Sequence, residues 1–279
     1  MLDCAGKSLD LSRPRVMGIL NVTPDSFSDG GLFADVDSAL RQAEDMVSEG
    51  ADILDVGGES TRPGAASVSL EEEMARVLPV IERIHAELDV IVSVDTTKPE
   101  LMRAAFAAGA GMINDVAALS APGAMASAAA TGVPVCLMHM QGEPRTMQMN
   151  PQYGEVVADI IGYLADRVAA CEAGGIARER LLIDPGFGFG KTLQHNLALL
   201  SNLGALQGLG LPVLVGISRK SMLGAVTGRA VDGRLAAGLA AAVMAVERGA
   251  RIVRVHDVAA TVDALKVWQA AMDAGVAKH

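Results

Sequence analysis

Short runs of β-branched and other apolar residues alternate with longer alanine-rich segments along the whole chain. Eight such runs stand out, at residues 15–21, 53–58, 90–96, 111–116, 133–139, 181–186, 213–218 and 251–257. Several are nearly continuous apolar stretches, the pattern of parallel strands buried on both faces. Between them, segments such as 36–49, 70–88, 99–108, 153–173 and 234–248 carry apolar residues at helical spacing. Gly50, Gly109, Gly132, Gly174 and Gly249 follow helical patterns, where C-cap glycines belong. The intervals between runs are all long enough for right-handed βα crossovers. Eight βα units in 279 residues predict an α/β fold, a single (β/α)8 TIM barrel over residues 1–279. Long loops rich in Gly, Pro, Ser and Asp follow strands 1 and 2, at 22–31 and 57–64, and read as lids. A doubly wound open sheet is the alternative architecture.

Composition narrows the picture. Half of the chain is apolar (51%) and 20% is charged, so a sizeable core is available and disorder is excluded. The net charge of −10 argues against coating nucleic acid or an anionic membrane, which needs a basic footprint. It does not exclude an anionic substrate, because the charge that matters there is local. Cys4, Cys136 and Cys171 are far apart and odd in number, as expected of a reduced cytoplasmic protein. Residues 1–14 carry four charged side chains and read as no secretory signal. The mostly alanine stretch 235–246 is far too short for a membrane span.

In this fold the chemistry gathers at the C-terminal ends of the strands. Those positions are polar in nearly every unit: Asn21, then Glu59 to Arg62, Asp95, Asn114 with Asp115, His139, Asp184, Ser218 to Ser221, and Arg254 with His256 and Asp257. A lone Asp or Asn at a strand end is more often a cap or turn former. Eight polar ends around one mouth are harder to assign to capping. Asp95, Asn114 and Asp184 suit a flat, nitrogen-rich ring that offers N–H donors. Lys220, Arg254 and His256 come from strands 7 and 8, where a phosphate site is common. Asn21 with nearby carboxylates supplies hard oxygen for Mg2+. The mouth reads as a site for a polar heterocycle joined to phosphate.

Two segments, Met17-Gly-Ile-Leu-Asn-Val-Thr-Pro-Asp-Ser-Phe-Ser-Asp-Gly-Gly31 and Asp55-Val-Gly-Gly-Glu-Ser-Thr-Arg-Pro-Gly64, resemble the signatures of the dihydropteroate synthases. The resemblance continues through Ser93-Val-Asp-Thr96, Ile113-Asn-Asp-Val116, Met138-His-Met-Gln-Gly142, Ile183-Asp-Pro-Gly-Phe-Gly-Phe-Gly-Lys191, Gly216-Ile-Ser-Arg-Lys-Ser221 and Arg254-Val-His256. It implies a transferase of folate synthesis that joins 6-hydroxymethyl-7,8-dihydropterin pyrophosphate to p-aminobenzoate. Asp95, Asn114, Met138, Asp184, Phe189, Gly216 and Lys220 would hold the pterin. Asn21, Arg62, Arg254 and His256 would bind the pyrophosphate, with Mg2+ on Asn21. Thr61, Arg62, Lys220 and Ser221 would face p-aminobenzoate. The chemistry would rest on Asp95, Asp184, Lys220, Arg254 and His256, and the family implies a homodimer.

A corrinoid-linked methyltransferase barrel should lack the first loop and the Ser-Arg-Lys-Ser segment, and both are present. A catalytically silent pterin-binding paralogue should have lost motif residues, and the set is complete. His139 is open between ligand and structural hydrogen bond. Lys191 does not fit the P-loop spacing and reads as shaping the ring pocket. His85, His195 and His279 have no evident partner.

Overall fold

The computed structural model describes residues 1–23, 31–60 and 67–276. The chain begins with an antiparallel hairpin, β1 (Leu2–Cys4) and β2 (Lys7–Leu9). The eight runs then form β3 (Arg15–Asn21), β4 (Ile53–Gly57), β5 (Ile91–Asp95), β6 (Met112–Asp115), β7 (Val135–Met138), β8 (Leu181–Asp184), β9 (Val213–Val215) and β10 (Ala250–Val255). These eight are parallel and close into a barrel in chain order, β10 pairing with β3. The helices are α1 (Gly31–Ser48), α2 (Leu70–Glu87), α3 (Pro99–Ala107), α4 (Ala124–Thr131), α5 (Val156–Ala173), α6 (Leu193–Ser201), α7 (Ser221–Thr227), α8 (Leu235–Glu247) and α9 (Val258–Val276). One helix follows each strand, except that both α7 and α8 lie between β9 and β10. The chain is therefore a (β/α)8 TIM barrel.

Local chemistry sets the helix ends. Ser69 accepts a hydrogen bond from the Glu72 N–H and Glu72 returns one to the Ser69 N–H, a capping box that starts α2. Thr192 and His195 start α6 in the same way, which supplies the missing partner of His195. Gly50, Gly109, Gly132 and Gly249 have positive φ as expected, but Gly174 does not. The left-handed position after α5 falls one residue later, on Gly175 (φ 86°).

Alternation along the strands builds the interior. Met17, Ile53, Ile91, Met112, Cys136, Leu182, Leu214 and Ile252, one from each strand, form a buried apolar layer at the N-terminal end of the barrel. The β1–β2 hairpin covers it with Leu2, Cys4 and Leu9. Gly111 lets the hairpin approach, since a Cβ there would stand 2.6 Å from the Cys4 carbonyl oxygen. Residues 1–14 thus close one end of the barrel, a role the sequence did not suggest. A second, larger core fills the space between strands and helices. Cys4, Cys136 and Cys171 are free and buried. No helix among the described residues is long and apolar enough to cross a membrane.

Candidate active site

Two residues further along each strand the interior turns polar. The positions are Ile19, Asp55, Ser93, Asn114, Met138, Asp184, Gly216 and Arg254, each two steps past its apolar counterpart. The floor of the site is thus the next layer of the barrel itself. Arg254 of β10 donates from Nε to Asp55 Oδ2 of β4 at 2.5 Å, and from Nη2 to Asp95 Oδ2 of β5 at 2.8 Å. Its Nη1 donates to no described residue. Asn114 of β6 donates from Nδ2 to the same Asp55 oxygen at 3.0 Å. The two carboxylates raise the Arg254 guanidinium above its ordinary range in spite of burial. Burial pushes the Asp95 carboxyl upward, against the pull of Arg254 and with help from the charge of Asp55.

Asp184 ends β8 opposite this cluster and is 5% exposed. Its Oδ1 accepts the Gly186 N–H at 2.7 Å, which turns the chain out of the strand. β8 therefore stops at Asp184 and not at Gly186 as the apolar run predicts. Gly186 is obligatory there: its φ is 69°, and a Cβ would stand 1.9 Å from the His139 carbonyl oxygen. Burial raises the Asp184 carboxyl and Lys220 pulls it back. Lys220 Nζ donates to the Phe187 carbonyl oxygen and lies 4.4 Å from the centre of the Phe189 ring. Burial lowers the Lys220 ammonium to about 8, although Asp184 favours its charge.

β9 ends at Val215, earlier than predicted, because the Lys220 N–H bonds back to the Ile217 carbonyl and Arg219 takes a positive φ of 59°. Arg219 is tied to Asp257, the residue after His256. His256 Nδ1 lies 3.1 Å from Ser218 Oγ, just past the end of β10. Ser221 opens α7 and is exposed. Met138 is buried at the end of β7 and Asn21 is half-buried at the end of β3. A cavity of about 410 Å³ opens beside Asp95, with Glu59, Glu73, Met140 and Arg145 on its wall. The strands thus bring Asp95, Asn114, Asp184, Lys220 and Arg254 to one end of the barrel. Thr61 and Arg62, with residues 24–30 and 61–64 of the two lid loops, lie outside the described residues, as does His279.

The structure decides His139 between its two readings and gives Asp115 and Asp55 roles that strand-end reasoning does not. His139 is a structural partner: Lys191 Nζ lies 2.9 Å from its Nδ1 and also donates to the Gly186 and Phe189 carbonyls. Asp115 accepts the Ala117 and Leu119 N–H groups and so shapes the turn after β6. Asp55 carries no assigned role in its sequence motif, yet it is fully buried and holds both Arg254 and Asn114. The available signal was its place in the middle of an apolar strand, where an ionisable residue needs a partner.

Among the described residues no group of three or more His, Cys, Asp or Glu side chains is placed to hold a metal ion. Asn21 offers an amide oxygen at the end of β3. That donor set fits a Mg2+ carried mainly by substrate phosphate and water, with one protein ligand.

A barrel whose polar layer is rich in oxygen acceptors, with Arg254 on its last strand and Lys220 just after β9, defines an enzyme for a nitrogen-rich ring. The sequence model of a family described as pterin binding enzyme matches residues 17–256, and the chain belongs to that class. Within it the chain belongs to the dihydropteroate synthases, which are transferases. It is 55% identical over 269 residues to the dihydropteroate synthase of Escherichia coli K12, covering 96% of this chain and 95% of that one. Dihydropteroate synthase of Xanthomonas albilineans with 4-aminobenzoic acid superposes with a TM-score of 0.93 at 57% identity, covering 97% of each chain. The same organism's enzyme in complex with 7,8-dihydropteroate gives a TM-score of 0.90 at 54% identity, covering 97% of this chain and 98% of that one.

Proposed function

We propose that the protein condenses 6-hydroxymethyl-7,8-dihydropterin pyrophosphate with p-aminobenzoate by a dissociative, SN1-like path, giving 7,8-dihydropteroate and pyrophosphate. The observation that carries the reading is the acceptor-rich layer around Arg254. Asp95, Asn114 and Asp184 offer oxygens to the donor edge of the pterin. Met138 and Phe189 supply apolar walls, Gly216 leaves room, and Lys220 meets the polar edge of the ring. Arg254 through Nη1, His256, Asn21 and Arg62 take the diphosphate. Thr61, Arg62, Lys220 and Ser221 face p-aminobenzoate, one of the ligands seen in the Xanthomonas enzyme. The small-residue stretch Leu235–Val246, which forms most of α8, supports a homodimer contact through close helix packing.

The bond from the pterin methylene to the diphosphate oxygen breaks, and its electron pair leaves with the diphosphate. The remaining positive charge spreads into the ring, where Asp95 and Asp184 favour it. The amino nitrogen of p-aminobenzoate then gives its lone pair to the methylene carbon, and an N–H proton passes to water. Asn21 would hold Mg2+, which when bound would supply charge neutralisation to the diphosphate. The test is pyrophosphate release in a single turnover without p-aminobenzoate, with a nucleophile present to trap the electrophile. Release with trapping, slowed by excess EDTA, is expected. Release that strictly requires p-aminobenzoate, with nothing trapped, contradicts the path.

A further inference from the structure

We propose that Asp55 is a positioning residue that fixes the hydrogen-bond polarity of the ring pocket. It rests on the pterin reading above. Asp55 is fully buried within β4. One oxygen, Oδ2, accepts from both Asn114 Nδ2 and Arg254 Nε. A carboxylate paired with a guanidinium is an acceptor only. The Asn114 amide has one end that donates and one that accepts, so its NH2 must face Asp55. That leaves Asn114 Oδ1 as the group available to a ligand. The neighbouring interior carboxylates, Asp95 and Asp184, are acceptors too. Asp55 thereby keeps the side of the pocket formed by Asp95, Asn114 and Asp184 accepting, which selects a ring edge that donates N–H. An Asn114 free to flip would place a donor among those acceptors and reverse the match.

The same carboxylate fixes Arg254. Asp55 and Asp95 occupy Nε and Nη2, so the guanidinium plane is held from two strands at once. The other Asp55 oxygen, Oδ1, and the Ser93 hydroxyl have no partner among the described residues. They belong to register neighbours on β4 and β5. Asp55 therefore does not owe its place to a saturated structural network; its Oδ2 bonds run to two residues of the site.

Calorimetry with 6-hydroxymethyl-7,8-dihydropterin, on D55N, N114A and the double variant, tests the role. D55N is expected to bind at least tenfold more weakly than wild type while keeping its near-ultraviolet circular dichroism. The D55N and N114A losses are expected to be less than additive, because part of one acts through the other. Wild-type affinity in D55N, or full additivity, overturns the proposal. If D55N does not fold, the wild-type protein still decides. Its Asn114 side-chain amide, assigned by its loss in N114A, should show two separated proton resonances that exchange slowly with solvent. Fast exchange overturns the proposal. Failure of the wild type to bind the pterin at all would instead remove the reading on which it rests.

Discussion

Lys191 and His139 form a buried pair between the segments that follow the neighbouring strands β8 and β7, with Nζ 2.9 Å from Nδ1. Lys191 also donates to the carbonyls of Gly186 and Phe189, the turn that carries Phe187 and Phe189 toward Lys220. Burial and Lys191 push the His139 imidazole down to about 3. His139 is thus a neutral acceptor throughout the physiological range.

Replacing Lys191 by Met removes the donor from the Phe189 carbonyl and from His139 Nδ1, while the Gly186 carbonyl keeps the Phe189 N–H. The loss should be about 2–4 kcal/mol of stability by denaturant titration, from an unmade-bond cost of about 1–3 kcal/mol each with partial relaxation. Pterin affinity should fall as well, since Phe189 moves with the turn. A change below about 1 kcal/mol would show that the turn does not depend on Lys191.

Replacing Arg254 by Ala strands the Asp55 and Asp95 carboxylates in the barrel. Removing one partner of a buried ionic cluster costs about 3–5 kcal/mol. The variant should therefore unfold earlier, and its remaining folded fraction should lose more affinity for the pterin pyrophosphate than for the bare pterin alcohol. Equal losses for the two ligands would count against an anion role for Arg254.

The pH profile of kcat/KM for the pterin pyrophosphate should be bell-shaped. Asp95, raised by burial, is protonated in the free protein over a wider acid range than an ordinary carboxyl. Binding that needs its charge weakens as pH falls through that raised range. Lys220, lowered to about 8, loses its charge as pH rises past that point. Each further pH unit then costs about tenfold, or ~1.4 kcal/mol. In K220R the alkaline limb should move upward, and a limb unchanged in K220R would assign it to another group.

The β1–β2 hairpin gives a stability effect separate from function. Leu9→Ala opens a cavity over the apolar layer and should cost about 2–4 kcal/mol. Pterin affinity per folded molecule should stay unchanged, because the hairpin covers the end of the barrel away from the site. A loss of affinity that matched the loss of stability would link the two ends.

How much of this was legible in the sequence follows from physical scale. The eight apolar runs were visible because strands covered on both faces need uninterrupted hydrophobic side chains. Asp95, Asn114, Asp184, Lys220 and Arg254 were visible because they sit at strand ends, where the fold concentrates polar groups. Asp55 was not, because reading strand ends passes over a charge in mid-strand; only closure of the barrel brings the side chains of Asn114 on β6 and Arg254 on β10 to it. The hairpin escaped notice because strands of three residues are too short to show a period. Gly174 was placed one residue early, since a Gly-Gly pair does not say which member takes the left-handed turn. The fine structure of β8 and β9 ends depended on Asp184 capping Gly186 and on Arg219, contacts that spacing alone does not encode.

The central claim is that this barrel joins a pterin to p-aminobenzoate with loss of pyrophosphate. The most direct measurement is pyrophosphate release by the purified protein with 6-hydroxymethyl-7,8-dihydropterin pyrophosphate, p-aminobenzoate and Mg2+, with 7,8-dihydropteroate measured in the same samples. Equal amounts of the two products, abolished in D184A, are predicted. Pyrophosphate without 7,8-dihydropteroate, or neither product from folded protein, would contradict it.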